Sequence, residues 1–136
     1  MNKLLLFITL ICSVFISSDV FANDKTYRCE VLSDAYIRES GVLDVQKDSP
    51  RVGQKFVVTK STGEVIGDIM DPLKNPKVVS LGSEKNSYKV IWEQKSAGKK
   101  STFVDYLNID EFAKGKSKPF GFFSGSLLMT GLCELI

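Results

Sequence analysis

The sequence predicts an all-β fold: a small antiparallel barrel or sandwich of about seven or eight strands, with the two ends of the domain linked by a disulfide. Three observations lead there. Apolar and polar residues alternate with period two over most of the chain after residue 22, the pattern of strands with one buried face. Turn-forming Gly, Pro, Ser and Asn interrupt these runs every ~8–12 residues, the spacing of an antiparallel domain. Finally, Cys29 and Cys133 stand in the first and last apolar runs, where one bond would join the ends of the sheet.

The compartment follows from the N-terminus. Lys3 supplies a basic start, Leu4 to Ile16 an apolar stretch, and Val20-Phe21-Ala22 a small-residue cleavage pattern, so residues 1–22 read as a secretory leader and residues 23–136 as a single domain. About 13 apolar residues are too few to span a bilayer as a helix, so no stable membrane insertion is expected after cleavage. Cys12 follows Ile11 rather than the small residue a lipid-anchor signal would place there, and it falls inside the discarded segment. An outer-membrane barrel is disfavoured by short strands and the lack of aromatic girdles. The expected location is periplasmic or secreted. In that oxidising space the two remaining cysteines are expected to pair.

The elements follow in order. Tyr27, Cys29 and Val31 share the apolar face of the first strand, and the alternation blurs through Ala35, Tyr36 and Ile37 before a turn at Ser40-Gly41. Residues 44–54 are polar and contain Pro50 and Gly53, the composition of a loop. Residues 55–60 and 64–69 flank Ser61-Thr62-Gly63, whose glycine can take the positive φ of a tight hairpin. Pro72 and Pro76 make residues 70–76 irregular or a sheet edge. Residues 77–81 form a short strand. Residues 87–94 place Tyr88, Val90 and Trp92 on one face, and residues 95–99 turn the chain back into residues 100–109, where Phe103, Asp105, Leu107 and Ile109 share a face. Residues 110–116 suggest one helical turn, capped by Asp110 and stopped at Gly115. The end splits at Ser124-Gly125-Ser126 into two strands, 119–123 and 127–135.

Chemistry is excluded more readily than assigned. The chain has no histidine, the commonest general base and zinc ligand, and no phosphate-binding or dinucleotide fingerprint. No enzymatic activity, cofactor or metal is expected. Asp68 and Asp71 lack the ligand density of a calcium loop. Glu93 and Asp105, expected on neighbouring strands, are the pair a two-carboxylate mechanism would have to use. A net charge of +2 is too small to point to nucleic acid. What remains is binding. The basic turn with Ser96, Lys99 and Lys100, together with Phe120 and Phe123, is the candidate partner surface. The stripe of Tyr88, Val90 and Trp92 is the candidate lining of a ligand cavity, with core packing as its plainer role.

Tyr27-Arg28-Cys29 near the start, the Thr62-Gly63 hairpin, and Lys118-Pro119-Phe120 followed by Thr130-Gly131-Leu132-Cys133 resemble a group of small uncharacterised exported proteins of Gram-negative bacteria. The resemblance spans most of residues 23–136 and implies a location and a fold rather than an activity. The turn Ser96-Ala97-Gly98-Lys99-Lys100 is also similar to the Ser-Gly-containing loop of the periplasmic C-type lysozyme inhibitors, small antiparallel barrels whose loop serine and lysine enter the enzyme's cleft. It does not match that loop position by position, so it implies a loop-borne protein contact rather than a specific inhibitory role. The expected function is therefore non-catalytic binding of a protein partner, in an inhibitor-like or immunity-like role. The alternative is a carrier of a small apolar ligand. The sequence leaves the oligomeric state open.

Overall fold

The structure, a computed structural model, describes residues 24–98 and 100–136. The expected leader and Lys99 lie outside the described residues. Nine antiparallel strands form one curled sheet, a half-barrel: β1 Thr26–Ile37, β2 Leu43–Val45, β3 Lys55–Thr59, β4 Val65–Ile66, β5 Pro76–Ser83, β6 Asn86–Lys95, β7 Thr102–Ile109, β8 Ser117–Ser124 and β9 Leu127–Leu135. Eight of them lie side by side in the order β4-β3-β1-β9-β8-β7-β6-β5, and β2 pairs with the far end of β1. The all-β expectation is met.

The sheet curls so that its concave face is the core. Tyr27, Cys29, Val31, Phe56, Val58, Tyr88, Val90, Trp92, Leu107, Ile109, Phe120, Phe122, Met129 and Cys133 all point inward and are buried. The edge strands β4 and β5 do not pair with each other. Residues 67–75, which connect them, cross the gap instead. Within that segment a one-turn 3-10 helix, Asp68–Met70, buries Met70, while Ile69 and Leu73 pack against the core. Gly63 holds φ 77° in the β3–β4 turn, and a Cβ there would press on Val90 and Pro76, so both the turn and the packing require glycine.

β1 and β9 close the molecule. Cys29 and Cys133 are directly opposite one another in the ladder and form a disulfide between residues 104 apart in sequence. At Gly131 the two strands come so close that a Cβ would overlap the carbonyl oxygen of Glu30 and crowd the Phe120 ring. Gly131→Ala is expected to cost about 2 kcal/mol, because the neighbour that must yield is backbone. Urea unfolding would measure it, and an unchanged midpoint would contradict the close approach.

One irregularity governs the rest of the molecule. Between Val31 and Ser33 the β1–β9 register slips by one residue, with Leu32 bulged out. Tyr27, Cys29 and Val31 face inward before the bulge, and Asp34 and Tyr36 do so after it. This is the physical reason why alternation blurs here in the sequence.

Residues 110–116 form successive turns rather than the expected helical turn. The Asp110 carboxylate is occupied by the Ser87 hydroxyl (3.0 Å) and the Asn108 amide (2.7 Å) instead of capping a helix. Glu111 turns back over one end of the half-barrel, where its carboxylate accepts hydrogen bonds from the Tyr27 hydroxyl and the Lys60 ammonium. The Tyr27 and Tyr88 rings pack against each other at a tilt of 47°, with centroids 5.0 Å apart. Burial, reinforced by Glu111, pushes the Tyr27 hydroxyl far above the ordinary tyrosine range, and burial followed by the charge of Glu111 pushes Tyr88 up to about 12.

Both values are raised in the folded chain, so the neutral phenols favour folding. That contribution is complete below the unfolded value of about 10 and is lost as pH rises from there toward 12. Alkaline titration is therefore expected to unfold the protein before these two residues ionise. Full tyrosinate absorbance below pH ~11 with near-UV ellipticity retained would contradict this arrangement.

Candidate functional site

The end of the half-barrel opposite Glu111 is open. The β6–β7 turn, the β8–β9 turn and residues 46–54 surround it, and the 67–75 segment covers one side. Between them lies a cleft of about 740 Å³, within the usual range for small-molecule sites. Its apolar lining comes from Ile69 and Leu73 of the crossing segment and from Phe122, Leu127 and Met129 of β8 and β9. Phe103 stands at the rim, 60% exposed. Asp105 and Arg51 are the charged residues on its wall.

Arg51 is already committed. Its Nε donates to Asp34 at 3.0 Å, a terminal nitrogen donates to the Tyr36 hydroxyl, and the guanidinium lies over the Tyr36 ring, 5.5 Å from its centroid. Asp34 is fully buried, turned inward by the bulge. It also accepts from the Ser49 hydroxyl, while its Oδ1 has no partner among the described residues. Burial lowers the Arg51 guanidinium, but the hydrogen bond and charge of Asp34, joined by Tyr36, together outweigh it and raise the group above its already high value. The cluster thereby fastens the 46–54 loop to β1 and fixes one wall of the cleft.

Asp105 is different. It lies on the inward face of β7, opposite Trp92 of β6 and Ser124 of β8. It is 7% exposed, yet its carboxylate has no hydrogen-bond or ion-pair partner among the described residues. Glu93 cannot join it. The strand alternation puts Glu93 on the outer face, 3.9 Å from Lys95, so these two carboxylates do not share a site.

The residues expected at a partner surface separate. Phe120 is a core residue, 3% exposed and edge-on to Phe56 at 5.3 Å, and so is withdrawn from any contact surface. Phe123, of opposite parity on β8, faces out and stacks on Tyr106. At the β6–β7 turn Ser96 is half-buried, with its amide donating to the Ser101 carbonyl at 3.2 Å, and Lys100 is exposed. The Tyr88, Val90 and Trp92 stripe is core, each residue fully buried. None of the three lines the 740 Å³ cleft, although Trp92 packs on its wall residue Phe122, with centroids 6.3 Å apart. The stripe thus belongs to the packed core of the concave face and does not reach the cleft.

Among the described residues no group of three His, Cys, Asp or Glu side chains is placed to hold a metal ion, and no helix is long and apolar enough to cross a membrane. No family model, curated protein or solved structure matches the chain.

Proposed function

We propose that this chain is a non-catalytic, periplasmic binding protein that holds a small, largely apolar ligand in the cleft at the open end of the half-barrel. The observation that carries the reading is the cleft itself: an apolar floor of Phe122, Leu127 and Met129 beneath a rim fixed by the Arg51–Asp34 cluster. Such concavity, with few polar groups, is what a small-ligand site requires. Its export rests on the leader expected in residues 1–22, and the disulfide suits that compartment.

The test uses N-phenyl-1-naphthylamine, a neutral apolar probe, added to the oxidised chain. Saturable one-to-one binding is expected, with a change in emission from Trp92, the sole tryptophan, and Ser124→Trp, which fills the cleft, should abolish it. Binding that does not saturate, or that Ser124→Trp leaves intact, would sink the reading.

The protein-partner reading keeps one specific support: Phe103 and Val104, 60% and 52% exposed, follow directly on the basic turn that carries Lys100. Lys100→Glu should weaken such a contact severalfold, and unchanged affinity for a captured partner would remove that reading.

A further inference from the structure

The cleft pairs a broad apolar floor with one carboxylate that has no hydrogen-bond or ion-pair partner among the described residues. The geometry points to Asp105 as the recognition group for a protonated amine, so that the ligand class is an organic monocation with an apolar body. This rests on the small-ligand reading above and narrows it.

Three features carry the argument. Asp105 is more than nine-tenths buried, lies on the cleft wall, and has no donor within hydrogen-bond reach among the described residues. The carboxylate is not sealed in the core but opens onto the cleft, where a cationic ligand can supply the countercharge and charge-assisted hydrogen bonds. Arg51, the cation on the same wall among the described residues, cannot do so, because it is held by Asp34 and Tyr36. The neighbours of Asp105 across the ladder are Trp92, which packs into the core, and Ser124, whose hydroxyl adds a polar atom but no charge.

A metal ion does not fit the same facts. Asp105 belongs to no cluster of three acidic, histidine or cysteine side chains among the described residues, and calcium or magnesium takes six or more oxygen ligands. An anion would meet an uncompensated like charge. A primary ammonium supplies both the charge and up to three donors at one point. The rest of such a ligand would lie along Phe122, Leu127 and Met129 toward the exposed Phe103 ring.

The experiment compares 2-phenylethylamine with its uncharged analogue 2-phenylethanol, each titrated into the oxidised full-length mature chain by calorimetry, with Trp92 emission as a second signal. The amine is expected to bind about tenfold or more tighter, the usual effect of a charge-assisted hydrogen bond. Asp105→Asn should abolish that preference, leaving both compounds at the affinity of the alcohol. Equal binding of the two to the unaltered chain would overturn the role of Asp105 while leaving an apolar cleft standing. Failure of both to bind at millimolar concentration would overturn the cleft along with it. A second measurement needs no ligand: because Asp105 has no partner among the described residues, unliganded Asp105→Asn should melt at or above the temperature of the unaltered chain. A clearly lower melting temperature would mean that the carboxylate serves a structural contact, and the inference would fail.

Discussion

Replacing Cys29 and Cys133 together by alanine is expected to lower stability by up to about 4.7 kcal/mol, the chain-entropy value for a closed loop of ~100 residues; the bridged residues are 104 apart. The bridge acts mainly on the unfolded chain. In the folded chain Cys29 and Cys133 face each other across a ladder that continues for two pairs on one side, to Tyr27–Leu135, and six on the other, to Tyr36–Leu127. The sheet does not need the bond to find its register, since Phe56, Val58, Phe120 and Met129 bury the same face. The double variant should therefore reach the same far-UV spectrum but melt roughly 15 °C lower. A variant that fails to form the sheet at all would show that the β1–β9 pairing depends on the covalent link, and one that melts unchanged would show that the unfolded chain is not loosened by losing it.

Arg51→Gln is expected to cost about 3–5 kcal/mol, more than a surface ion pair ever contributes. The asymmetry lies in the partner. Asp34 is fully buried, one of its oxygens is already without a donor, and removing the guanidinium strands the carboxylate in the core with only the Ser49 hydroxyl for company. Adding Asp34→Asn to Arg51→Gln should recover most of the loss, because the charge that made the single variant costly is gone. Chemical denaturation of the four members of this cycle measures the coupling. Additive losses would mean that the two side chains do not depend on each other.

The contrast between these two results reflects what a one-dimensional pattern can carry. The disulfide was legible because Cys29 and Cys133 each sit on the apolar face of a regularly alternating run, and in a sheet of this kind such faces meet. The hairpin at Gly63 was legible because a single residue type states the backbone angle it needs. The Asp34–Arg51 cluster was not legible, since it depends on the bulge at Leu32, which shifts the parity of β1 without any Gly or Pro to announce it. Phe120 and Phe123 show the same difficulty in smaller form: in a strand with aromatic residues of both parities, composition does not say which faces inward.

The cleft was hidden for a different reason. Its lining is drawn from the 67–75 segment, β7, β8 and β9, and exists because the sheet curls without pairing β4 to β5. Asp105 was placed correctly on the inner face of its strand by alternation alone, yet its isolation there follows from Arg51 being engaged elsewhere, a contact between residues far apart in sequence.

The most direct test of the cleft as the binding site is amide chemical-shift mapping of the oxidised chain during titration with 2-phenylethylamine. The predicted result is a saturable set of shifts at Phe103, Asp105 and residues 122–129, together with Arg51, while residues 110–116 at the opposite end stay still. Shifts that are absent, or that gather at the Glu111 end or on the outer face around Tyr106 and Phe123, would contradict it.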